Sequence, residues 1–124
     1  MILSHAGSLV YTVYFKFHLY MNKKSENKMF HHIVMLEFKK TLTQTEHSQI
    51  EKFCRDIKSE LTDVINMRFV KNISNRANGY THAFVVEFVD ENAHDNYQVA
   101  EVHVLLKKMI NELALNTVVL DYEL

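Results

Sequence analysis

The chain has 124 residues, 48% of them apolar, and a net charge of −1. That size and balance describe one globular domain, neither disordered nor membrane-like. A charge near zero provides no basic face to neutralise phosphates, so neither nucleic acid nor an anionic membrane surface is an expected partner. With no Pro and only Gly7 and Gly79, tight turns that need positive φ must be rare. The single cysteine, Cys54, excludes an intramolecular disulfide and suits a reducing cytosol, so a cytoplasmic location is expected.

The first segment, Leu9 to Met21 (LVYTVYFKFHLYM), is apolar and aromatic but interrupted by Lys16 and His18. It is too short and too polar to span a bilayer, which takes about 20 apolar residues. The charged run Asn22 to Lys28 follows in place of a small-residue cleavage site, so a secretory signal is not expected. The reading adopted is an extension over residues 1–28, outside the fold, with Met29 as the natural start and a single domain over 29–124.

From His31 to Phe38 the pattern is that of a strand. His32, Val34, Leu36 and Phe38 share one face, and His31, Ile33, Met35 and Glu37 the other. Thr43-Gln44-Thr45-Glu46 reads as a capping box, opening a helix with Ile50, Phe53, Ile57 and Leu61 at helical spacing and Cys54 beside them. Val64 to Ile73 predicts a second strand with Ile65, Met67 and Phe69 inward. Asn72 to Gly79 is a polar loop whose Asn78-Gly79 pair marks a left-handed position. Thr81 to Val89 predicts a third strand, with His82, Phe84, Val86 and Phe88 on one face. Asp90 is a plausible N-cap for a second helical region, whose later half spaces Val102, Leu106, Met109 and Leu113 as a helix does. Thr117 to Leu124 closes the chain as a strand, giving a β-α-β-β-α-β order, the ferredoxin-like α+β arrangement.

Two helices cover one face of a four-stranded sheet. Strands one and three are nevertheless apolar on both faces (Ile33 and Met35, Ala83 and Val85, behind the inward sets), whereas a water-facing side should alternate to polar. Exposing several such side chains forfeits roughly 1.5–3 kcal/mol each. A homodimer that buries this face by two-fold symmetry is the expected solution. The other cover the sequence offers is the Leu9–Met21 segment folded back as an extra strand.

His31 to Lys39 (HHIVMLEFK), Asn78 to Phe88 (NGYTHAFVVEF), Tyr97 to His103 (YQVAEVH) and Val118 to Leu124 (VVLDYEL) together resemble the stress-responsive A/B barrel (Dabb) family over about Met29 to Leu124. The resemblance implies a ferredoxin-like protomer, a homodimer whose two sheets form a dimeric α+β barrel, and a cavity between each sheet and its helices. A cyclase of that family closes a linear polyketide by aldol chemistry without a cofactor. In that enzyme a His is the general base, a Tyr assists and two further His line the pocket. Carried over, the catalytic roles fall on His103 and Tyr97 and the pocket roles on His32 and His82; Phe84, on the face of the latter two, is a further substrate-binding candidate. Many relatives carry a His-Pro-Ala-His run ending at the late His. Here Ala100-Glu101-Val102 precedes His103, which permits a regular helix, and six residues along such a helix point about 120° apart.

The chemistry fits a base. An imidazole with an ordinary pKa near 6.5 takes a proton at neutral pH, and a Tyr hydroxyl polarises a carbonyl. Equally, a His among apolar residues serves as a packed structural group, and Tyr97 as a core aromatic. No metal site is expected, because His32, His82 and His103 have no carboxylate or Cys at ligand spacing. No cofactor is expected either, since glycine-rich phosphate loops, HExxH motifs and nucleophile elbows are absent. Three readings stand: a cofactor-free enzyme acting on a small carbonyl compound, a non-catalytic binding or structural dimer, and a monooxygenase-like protein on the same barrel. Fold alone does not choose among them.

Overall fold

The alternation of Phe30, His32, Leu36 and their neighbours places these residues against the helices, and this strand, β1 (Phe30–Phe38), lies inside the sheet. The computed structural model describes residues 28–124, so the reading of the N-terminal extension lies outside the described residues. Beyond β1 come α1 (Gln44–Glu60), β2 (Val64–Lys71), β3 (His82–Phe88), α2 (Glu91–Val99), α3 (Glu101–Leu113) and β4 (Ala114–Glu123). The sheet order is β2-β3-β1-β4 with every neighbouring pair antiparallel, a ferredoxin-like fold. Among the described residues no helix is long and apolar enough to cross a membrane.

Local chemistry fixes the elements. The Thr43 hydroxyl accepts from the Glu46 amide at 3.1 Å, and the Glu46 carboxylate accepts from the Thr43 amide at 2.9 Å, which starts α1. Ile50, Cys54 and Ile57 then face the sheet, meeting Leu36, Val86 and Phe88 in the core. Burial pushes the Cys54 thiol up to about 12, so it stays protonated and acts as a small hydrophobe.

Asn78 and Gly79 both have positive φ, 51° and 87°, as the Asn-Gly pair implies. A Cβ at Gly79 would also meet the Glu37 carboxylate at 2.1 Å. Gly79→Ala is therefore expected to lower stability by about 1–2 kcal/mol, chiefly through the left-handed backbone, since the Glu37 side chain can swing away. Urea unfolding of wild type and variant checks this.

Three sequence expectations are corrected. Ile65 falls at a register irregularity in the β2–β3 pairing and is 40% exposed, so it does not point inward. The strand bounds also shift, as one correction: the second strand stops at Lys71, leaving Ile73 in the loop, and the last begins three residues earlier than Thr117. The third correction matters most: the second helical region is two helices. Ala100, with an extended ψ of 135°, ends α2 and opens α3. No Pro or Gly causes the break. Burial does, because Tyr97 and His103 both turn inward and a continuous helix would hold one of them away from the core.

The sheet face away from the helices carries Ile33 and Met35 of β1, Val85 of β3, and Val118 and Leu120 of β4. The register places Leu120 opposite Ile33 and Val118 opposite Met35. Among the described residues no element covers this apolar strip, and Val118 and Leu120 are about half exposed.

Candidate active site

The break at Ala100 shapes the site. It lets Tyr97, from the end of α2, and His103, from the first turn of α3, stack ring on ring with centroids 3.8 Å apart. Tyr97 is 3% and His103 8% exposed. The pair lines a cavity of about 310 Å³ between α3 and the sheet. Val34 and Phe84 line it from the sheet and Leu106 and Ile110 from α3, an apolar body. Gln98, Lys107, Asn111 and Thr117 add polar groups, an arrangement typical of a site for a small organic molecule.

His32 lies on the same wall, edge-on to Tyr97 at 6.1 Å, and its Nδ1 is 2.5 Å from the Asp121 carboxylate. The antiparallel pairing of β1 with β4 sets His32 opposite Asp121. Behind them His94, on α2, packs 4.7 Å from the His32 ring, and the Gln98 amide donates to its Nε2 at 2.7 Å.

The environment sets the protonation states. Burial, outweighing the backbone carbonyl of Gln98, brings His103 down to about 4, and Lys107, His32 and His94 push the same way. His103 is therefore neutral at pH 7, with a free lone pair. Its Nδ1 is buried and has no hydrogen-bond partner among the described residues. Burial, with Cys54 a lesser influence, holds the Tyr97 phenol well above its ordinary value, so it remains a donor. Burial and the neighbouring His32 also lower His94.

Of the residues singled out in the sequence, His103, Tyr97, His32 and Phe84 come together on this cavity. His82 does not. It shares their sheet face but pairs with Leu36, whereas His32 pairs with Val86; four residues along a strand separate the two by about 13 Å. His82 instead stacks on Phe69 at 5.0 Å, close to Phe38 and His47, and borders a separate hollow with Lys39 and Lys71. Burial and His47 lower its pKa. Sequence reasoning missed His94, Gln98 and Asp121. The i, i+4 spacing of His94 and Gln98 was a readable signal; the meeting of Asp121 with His32 depends on strand register, which the sequence does not state.

Residues 30–124 match the Stress Responsive A/B Barrel Domain (Dabb). The chain belongs to this family. A search of curated proteins gives no match. Among solved structures, the hydroxynitrile lyase from Passiflora edulis superposes with a TM-score of 0.70 at 20% identity, covering 79% of this chain and 94% of that one. A dimeric ferredoxin-like protein of unknown function from Jannaschia sp. CCS1 gives 0.69 at 24% identity, covering 77% and 99%. A Dabb family protein from Mesorhizobium loti gives 0.64 at 22% identity, covering 77% and 95%. At these identities the likeness to solved structures extends to the fold alone.

Proposed function

We propose that this Dabb protein works as a homodimer that binds a small, largely apolar carbonyl compound in the Tyr97–His103 cavity and moves a proton on it without a cofactor. The observation that carries the reading is the stacked, buried Tyr97–His103 pair on the wall of a largely apolar cavity. Tyr97 donates to the carbonyl oxygen, and the neutral His103 accepts a proton from the adjoining carbon or hydroxyl. The charge developing on that oxygen is then held between the phenol and the new imidazolium. Cyclisation, aldol and lyase steps all fit this proton transfer. A hydroxynitrile lyase shares the fold, and a hydroxynitrile is the cyanide adduct of a carbonyl compound, which supports that class. The open apolar strip on the helix-free face supports the dimer, as does the dimeric state of the Jannaschia relative.

A non-catalytic binding protein is the second reading, favoured by one fact: a His held down to about 4 is a weak base. A thermal-shift screen with β-keto and phenolic compounds, on wild type and His103→Ala, tests the site. Compounds that raise the melting temperature of wild type and lose that effect in the variant are expected. No stabilising compound, or equal stabilisation of both proteins, would remove the cavity reading. Chromatography of the hits after incubation separates turnover from binding.

A further inference from the structure

Beside the proposed catalytic pair lies a group of side chains that the acid–base reading does not need. His32, His94 and Asp121 each bring one metal-ligating atom to within 4.8 Å of the other two. They come from three elements that the sequence separates: β1, α2 and β4. We infer that these three residues bind one divalent transition-metal ion at the wall of the cavity, with zinc-class preference.

The donor set decides the chemistry. Two neutral imidazoles and one carboxylate suit zinc and its borderline neighbours, while magnesium and calcium want oxygen donors throughout. Two donors around a tetrahedral zinc lie about 3.3 Å apart, so small side-chain rotations close the present spacing. The Asp121 carboxylate also brings an anionic oxygen donor to the dication. Both rings are already held in place: His94 is stacked on Phe30 at 4.4 Å, and with the Gln98 amide turned so that its oxygen accepts from Nε2–H, Nδ1 is left to ligate; His32 is held by its contact with Asp121. Such oriented imidazoles are what a metal site requires of its surroundings. A bare His32–Asp121 pair would need no second imidazole beside it.

His32 and Asp121 both line the cavity. Three protein ligands leave at least one position open for water. The sequence alone discouraged a metal because it grouped His32 with His82 and His103, which have no carboxylate or Cys at ligand spacing. The fold supplies the carboxylate by pairing β1 with β4 and replaces His82 with His94.

The test is a calorimetric titration of the chelator-stripped full chain with Zn²⁺, with Mg²⁺ as the control. One Zn²⁺ per chain is expected, with no Mg²⁺ heat. His94→Ala and Asp121→Asn should each weaken Zn²⁺ binding by at least about 100-fold, more than loss of an outer-shell partner does, while Val104→Lys, exposed on α3, leaves it unchanged. Asp121 is partly exposed and its replacement nearly isosteric, so that variant decides the matter if His94→Ala does not fold. Absence of saturable binding, or wild-type affinity in Asp121→Asn, overturns the site. No organic ligand enters the titration, so its failure leaves the carbonyl-binding reading untouched.

Discussion

Replacing Val118 and Leu120 together with lysine is expected to turn the protein from a dimer into a monomer in sedimentation at micromolar concentration. Both side chains lie on the helix-free face of β4, opposite Met35 and Ile33 of β1, at the centre of an apolar strip that no element of the chain's described residues covers. Each is about half exposed, so burying it against a second copy contributes roughly 1 kcal/mol, counted twice by the two-fold. Removing both, and bringing two charges to the same place, should weaken dimerisation by at least about 100-fold, since each 1.4 kcal/mol is a factor of ten. Val104→Lys, on the outer surface of α3 and half exposed already, should change nothing. A double variant that still sediments as a dimer would show that the copies meet elsewhere. A wild-type protein that is itself monomeric would remove the dimer altogether.

That apolar strip was legible in the sequence because strand periodicity is a local property. Ile33 and Met35 of β1 and Val85 of β3 alternate with inward residues, so their outward face follows from counting by two, whereas Val118 and Leu120 join it only through the pairing of β4 with β1. The capping box at Thr43 and the left-handed Asn78-Gly79 pair were legible for the same reason, since each is set by residues three or fewer apart. The break at Ala100 was not. Nothing between Tyr97 and His103 disfavours a helix as Pro or Gly would, and the reason for the break lies in the core, where two ring-bearing residues are both buried. His82 shows the complementary limit. Periodicity gave its face correctly and its neighbours incorrectly, because position along a strand depends on register with β1, a long-range property. The same register brings Asp121 to His32, so the relation that removed one residue from the site added another.

His103→Leu is expected to flatten the acid side of the stability profile without harming the fold at neutral pH. In the folded protein His103 titrates at about 4, against an ordinary 6.5 in the unfolded chain. Its folded pKa is therefore depressed. Above about 6.5 neither state holds the proton and the folded state is at full advantage. As pH falls below 6.5 the unfolded chain takes up a proton that the folded one refuses. Stability then drops by up to about 1.4 kcal/mol per pH unit until about pH 4, where the folded imidazole also protonates and the loss levels off. His94 and His82, lowered by burial in the same direction, add to the slope in both proteins. Leucine cannot titrate, so urea unfolding at equal protomer concentration should show a slope smaller by up to one proton in the variant. At pH 7.5 the variant should match or exceed wild type, because the unpaired Nδ1 is gone and an apolar group of similar size fills its place. Equal acid sensitivity in both proteins would mean that His103 is hydrated, and a hydrated imidazole offers a cavity ligand nothing that water does not already provide. The expected outcome would put a neutral, unhydrated imidazole beside the cavity, the protonation state that the acid–base reading requires.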